Sequence, residues 1–195
     1  MLAGSRMIVE LPVGDPDDQL AAGEVLVQEG LATWVVPFER RAELVRLREL
    51  FGRRVRLGVS DLRTPGQVAQ AASAGVTDLL LSPFASAALV DAAGDAPLVL
   101  GGLTPAEVAT ALELRPAAVQ VIPCDALGSL YARTLTAMFP GEPLIATGKL
   151  ERFQCEMWLD AGALAVCPLG AIGADDIAEP DLSELRHRCQ GYRFD

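Results

Sequence analysis

The sequence is short of nearly every residue that announces chemistry. It holds a single lysine, Lys149, among 16 basic residues, and a single histidine, His187. The four cysteines (Cys124, Cys155, Cys167 and Cys189) show no C-x-x-C spacing, so no zinc-site pattern exists. They read as reduced, buried thiols. Aromatic residues make up 5% of the chain and apolar residues 51%. A core must then be built from Leu, Val, Ile and Ala, which suits helices packed on buried strands better than an aromatic-rich sandwich. Positive charge is scarce as well. A net charge of −10 leaves no basic face for nucleic acid and works against an anionic membrane surface. No apolar run reaches the length of a membrane span. Residues 1–6, "MLAGSR", lead into a strand-like run where a signal peptide would place its apolar stretch. The expected location is the cytoplasm.

What is present is a repeat of pattern. Short apolar runs recur about every 20 to 24 residues: "MIVEL" (7–11), "TWVVPF" (33–38), "VRLGV" (55–59), "DLLLS" (78–82), "PLVLG" (97–101), "AVQVI" (118–122), "PLIAT" (143–147) and "ALAVC" (163–167). Their length and spacing predict one βα unit each. Helical signals lie between them. In "PDDQLAAGEVLVQEG" the aspartates suit a first turn and Gly30 a C-terminal stop. Thr64-Pro65 and Thr104-Pro105 each pair an N-cap threonine with proline at the first helical position. Pro180 is expected to break or kink the last helical stretch.

Eight such units over residues 1–195 predict a single α/β domain, a (β/α)8 TIM barrel. An open doubly wound sheet is the alternative, but no G-x-G-x-x-G follows the first strand. In such barrels the chemistry sits at the C-terminal ends of the strands. Two polar residues intrude inside apolar runs, Glu10 and Gln120. Buried, each needs a partner. The strand ends add Glu39, Arg40, Ser60, Asp61, Arg63, Ser82, Cys124, Asp125, Thr147 and Lys149. For most of these, ordinary loop solvation is a sufficient account.

Four segments, "LRTPGQVAQAASAGVTDLLLSP", "LVLGGLTPAEVATALEL", "VIPCDALGSLYARTL" and "LIATGKL", resemble in order and spacing the 2-keto-3-deoxy-6-phosphogluconate (KDPG) and 4-hydroxy-2-oxoglutarate (KHG) aldolases, over nearly the whole chain. The resemblance implies a (β/α)8 barrel, a homotrimer, and a strand-six lysine that forms a Schiff base with a 2-oxo acid. It also implies a strand-two glutamate, a strand-two arginine, a strand-three threonine and paired phosphate-binding glycines after strands seven and eight. Here the lysine position is Gln120 and the glutamate position Val35. The arginine position is Glu39, or Arg40 in the next register. The threonine position is Asp61, the glycine pairs are Gly148-Lys149 and Cys167-Pro168-Leu169, and a pocket valine is Glu10. An amide cannot form an imine, so Gln120 excludes the family's chemistry at that position.

Three readings follow. Lys149 replaces the lost amine; the acidic residues expected around it argue against this, because they favour its charged form. Alternatively Lys149 stays charged and clamps a small anionic metabolite, a 2-oxo acid or a phosphorylated compound. Arg40, Ser82, Gln120, Thr147 and Gly148 would then bind, and Glu10, Glu39 and Asp61 would do acid–base work or hold Mg2+. The bland version of this arrangement is a Lys149–Glu10 ion pair filling a dead pocket. Otherwise no cofactor is expected. The third reading is a trimeric binding or scaffold protein without catalysis.

Overall fold

The computed structural model describes residues 5–178 and 181–194. Its strands are β1 (Val9–Glu10), β2 (Thr33–Pro37), β3 (Arg56–Ser60), β4 (Leu79–Leu81), β5 (Leu98–Gly102), β6 (Ala118–Val121), β7 (Leu144–Gly148) and β8 (Ala165–Pro168). They form one parallel sheet in sequential order. A parallel bridge between Met7 and Val166 brings the last strand back to the first. Two backbone hydrogen bonds hold it there, Ile8 N–H to Val166 O at 2.8 Å and Val166 N–H to Arg6 O at 2.9 Å. The sheet is therefore closed, and the expected (β/α)8 barrel is what the chain forms.

Outside the strands lie α1 (Leu20–Gln28), α2 (Glu43–Phe51), α3 (Pro65–Ser73), α4 (Ala87–Ala93), α5 (Pro105–Glu113), α6 (Ser129–Met138), α7 (Arg152–Asp160), α8 (Ala174–Ala178) and α9 (Ser183–Gly191). Both threonine caps form. Thr64 and Thr104 accept from the N–H of Gln67 and Glu107, whose side chains reach back in full capping boxes. Gly30 follows α1 with φ +81°, a left-handed turn that glycine takes without strain. The aspartates of "PDDQ" do not enter the first turn of α1. They lie ahead of it, where Asp17 pairs with Arg46 at 2.6 Å, and the helix starts at Leu20. Pro180 lies outside the described residues; α8 and α9 on its two sides are separate helices.

The strands are apolar on both faces, as burial on both sides requires. Trp34, Leu57, Leu80 and Leu100 face the helices. Ile8, Val35, Leu79, Val99, Ile145 and Ala165 fill the lumen, so the barrel is solid rather than a pore. Gly58 leaves space for them: a Cβ there would stand 3.0 Å from Val35 Cγ1 and 2.7 Å from Leu79 O. Among the described residues, no helix is long and apolar enough to cross a membrane.

Candidate active site at the barrel mouth

Alternation along a strand sends every second side chain inward. Above the apolar lumen the next inward positions are polar, and there the packing stops. A cavity of about 280 Å3 opens at the C-terminal ends of the strands. Glu10, Asp61, Gln120 and Thr147 line it, together with Ser60, Arg63 and Cys167.

Glu10, at the end of β1, is half-buried. Its one hydrogen-bond partner among the described residues is the Ser60 hydroxyl, which donates to Oε2 at 3.5 Å. Burial pushes its carboxyl pKa up, and the nearby charge of Asp61 adds to the push. The Ser60 contact and the Arg40 charge oppose it without cancelling it. Asp61 sits at φ +58°, a left-handed conformation that aspartate tolerates better than most residues. Its carboxylate takes the Arg63 Nε–H at 2.9 Å. That leaves the two terminal nitrogens of Arg63 without a protein partner among the described residues.

Gln120 is 2% exposed on β6. Its Nε2 donates to the Ser82 carbonyl at 2.6 Å, so that nitrogen is already committed. The Thr147 hydroxyl on β7 is buried without a partner. Cys167 looks reactive by position but not by chemistry. Burial, then the charge of Glu10, raises its thiol pKa strongly, which suppresses the thiolate a nucleophile needs. All four cysteines are buried and free.

The other expected residues do not line the cavity. Glu39 is exposed on a 3-10 turn (Phe38–Arg40). Arg40 is a staple. It donates to Leu11 O and Pro12 O, both at 2.8 Å, and to both oxygens of Glu43, at 2.9 and 2.6 Å. Its guanidinium ties the end of β1 to the start of α2. The Ser82 hydroxyl accepts from the Phe84 N–H at 3.1 Å, inside its own loop. Gly148 lies under Asp125; a Cβ there would stand 2.1 Å from Asp125 Oδ1. Lys149 is exposed, and among the described residues it makes no ion pair, neither with Glu10 nor with any other carboxylate. The Lys149–Glu10 plug is therefore absent, and the cavity is open. With Glu39 outside it, Glu10, Glu39 and Asp61 do not converge as a Mg2+ site. Among the described residues no group of three or more metal-ligating side chains does.

Barrels often bind phosphate on the loops after strands seven and eight, against the N-terminus of a short helix. Here part of that backbone is bonded within the chain. Pro168 has no N–H. The Leu169 N–H bonds Gly148 O at 2.8 Å and the Ala171 N–H bonds Pro168 O at 3.3 Å. The Gly173 N–H, at the head of α8, bonds Asp176 Oδ2 at 2.7 Å. A carboxylate from the chain stands where a phosphate would be received.

Ser60, Arg63 and Cys167 join the cavity unanticipated as site residues. Ser60 and Arg63 carried the same signal as Asp61, a position just past the run "VRLGV". Cys167 ends "ALAVC".

A closed eight-stranded barrel with its polar cavity at the C-terminal rim defines the (β/α)8 class of enzymes and their relatives. Within that class the chain belongs to the KDPG and KHG aldolase family, whose family model matches residues 1–187. Solved structures agree on the fold. KDPG aldolase from Legionella pneumophila, captured with pyruvate as a covalent carbinolamine, is 20% identical, with 98% of this chain and 96% of that one covered and a TM-score of 0.82. KDPG aldolase from Zymomonas mobilis is 20% identical over 97% and 92% of the two chains, TM-score 0.81. A 4-hydroxy-2-oxoglutarate/2-dehydro-3-deoxyphosphogluconate aldolase is 24% identical over 96% and 92%, TM-score 0.79. No curated protein sequence matches the chain.

Proposed function

We propose that this family member binds a small, unphosphorylated 2-oxo acid at the barrel mouth and moves a proton on it with Glu10, without forming an imine. The observation that carries this reading is Glu10 itself: a half-buried carboxyl with a raised pKa and one weak protein partner, beside an open cavity. A raised pKa makes the ionised carboxylate a stronger base, suited to taking a proton and returning it. The free edge of Arg63 offers a substrate carboxylate two charge-assisted hydrogen bonds. Glu10 removes a proton from the carbon next to the carbonyl. The electron pair moves onto the carbonyl oxygen, where the unpartnered Thr147 hydroxyl donates a hydrogen bond. Reprotonation of the enolate on its opposite face serves an isomerase. In a lyase the enolate arises instead as the C–C bond to a neighbouring carbinol breaks and the carbinol hydroxyl loses its proton, and Glu10 returns a proton to the enolate carbon. The Asp176 carboxylate at the head of α8 favours an unphosphorylated substrate. The homotrimer is part of the same reading, supported by the exposed apolar side chains of Phe84 and Leu130, and light scattering tests it.

A second reading, binding without turnover, is favoured by the commitment of Gln120, Arg40 and Ser82 to structural hydrogen bonds. One experiment separates the two. The protein is incubated with pyruvate in D2O, and loss of the methyl proton signal is followed by NMR. Faster exchange than in buffer is expected, lost in Glu10→Gln, with no adduct after borohydride treatment by intact mass. Pyruvate-induced thermal stabilisation without exchange supports the binder. A borohydride adduct on Lys149 overturns both.

A further inference from the structure

The opposite end of the barrel carries a second cavity, of about 400 Å3, at the N-terminal ends of β3 and β4. Three guanidiniums line it (Arg48, Arg53 and Arg56) with a single carboxylate, Asp78. In a chain with a net charge of −10, this is a local excess of two positive charges.

The three arginines divide the work. Arg48 is structural. It donates to Gly52 O at 2.7 Å, Val55 O at 3.1 Å, Val76 O at 2.9 Å and the Asp78 carboxylate. Asp78 Oδ2 also takes the Leu57 N–H at 2.9 Å. Both of these bonds fall on Oδ2; the nearest nitrogen of Arg56 is 3.7 Å from Oδ1, an ion pair too long for a hydrogen bond. Arg53 has no ion-pair partner among the described residues, whereas its neighbour Arg54 is held by Glu24 at 2.6 Å. Two guanidiniums therefore border the cavity with their hydrogen-bond donors uncommitted.

The loop between α3 and β4 adds more donors. The N–H groups of Gly75, Val76 and Thr77, all lining residues, find no backbone carbonyl among the described residues. Gly75 takes φ +70° directly after Ala74 in right-handed helical conformation. This is the alternation that turns successive N–H groups into an anion-binding concavity. The Thr77 hydroxyl is buried without a partner.

We infer that this cavity is a binding site for a compact polyanion, phosphoryl or polycarboxylate, separate from the mouth. Its volume falls within the usual range for small ligands. Paired arginines beside free N–H groups suit a ligand presenting several charged oxygens to one side. The inference stands apart from the Glu10 reading, since it uses none of the same residues.

The probes are pyrophosphate and citrate, titrated separately by calorimetry into the intact protein at low ionic strength. One equivalent is expected to bind, with affinity falling as salt rises. The Arg53→Ala/Arg56→Ala double variant should weaken binding at least tenfold. Arg46→Ala/Arg54→Ala removes the same charge from pairs with Asp17 and Glu24, outside the cavity, and should change binding by less than twofold. Unliganded melting curves check that both variants fold. Binding of either probe or both keeps the site and names its anion. Millimolar probe without heat, equal losses in the two double variants, or loss only in Arg63→Ala at the mouth each overturns the inference.

Discussion

The two ends of the barrel are built on one plan and charged in opposite senses. At each end an arginine of the α2 region is spent on backbone carbonyls: Arg40 above, on Leu11 and Pro12, and Arg48 below, on Gly52, Val55 and Val76. Around these staples the ends diverge. The mouth sets two carboxylates, Glu10 and Asp61, against the guanidinium of Arg63. The floor sets three guanidiniums against Asp78. Acidic groups therefore outnumber basic ones around the mouth cavity, and basic groups outnumber acidic ones around the floor cavity. On the readings proposed above, the difference sets proton transfer at the mouth apart from polyanion binding at the floor.

The comparison breaks most severely at the floor. Arg48→Ala removes four hydrogen bonds and leaves Asp78, whose side chain is 26% exposed, without its principal counter-charge. Stranding a partly buried charge costs on the order of 3 kcal/mol. At this chain length that lowers Tm by roughly 6–12 °C, read in a thermal melt. At the mouth the matching lesion is Gly101→Ala. Its Cβ would stand 2.3 Å from the carbonyl carbon and oxygen of Pro83, which are backbone and cannot swing away. Overpacking of this kind costs about 2 kcal/mol. It also moves a residue that lines the cavity, so pyruvate binding should weaken along with Tm.

The fold was legible because each strand is an apolar run closed by turn residues, and the observed strands fall within one or two residues of the runs. Half of the site was legible by the same alternation. Glu10 and Gln120 are polar residues at inward positions of otherwise apolar strands, and Asp61 and Thr147 stand at strand ends. What failed was local geometry past the strand. Alternation carried on from Ile145 and Thr147 would aim Lys149 inward. Instead β7 ends at Gly148, and the Leu150 N–H turns back to the Gly148 carbonyl at 2.9 Å, leaving Lys149 exposed. Arg40 failed for another reason. Its partners Leu11 and Pro12 lie 29 and 28 residues earlier, and no local pattern shows an arginine which carbonyls the fold will bring to it.

Glu10 gives a smaller and pH-dependent effect that belongs to the mouth alone. Its folded pKa is raised above the ordinary 4.5. The folded protein then holds a proton that the unfolded chain has already released, so stability falls as pH rises from the unfolded value through the folded one. Glu10→Gln removes that loss. The variant should melt above the parent at pH 8, and the difference should shrink toward zero as pH drops to about 4. A difference that grows toward low pH would mean that Glu10 is stabilised as a carboxylate, and the proton-transfer reading of the mouth would fall with it.

Lys149 sharpens the comparison by doing least. It lies on the rim of the mouth, yet it touches neither cavity and pairs with no carboxylate among the described residues. Lys149→Met should therefore shift stability by no more than about 0.5 kcal/mol, the usual range for a surface change. Methyl-proton exchange on pyruvate should match the parent, and pyrophosphate affinity at the floor should be unchanged. Loss of exchange with stability intact would show that the loop after β7 swings inward once substrate arrives. The mouth would then gain a second cation beside Arg63, and the charge contrast between the two ends would hold only in the absence of ligand.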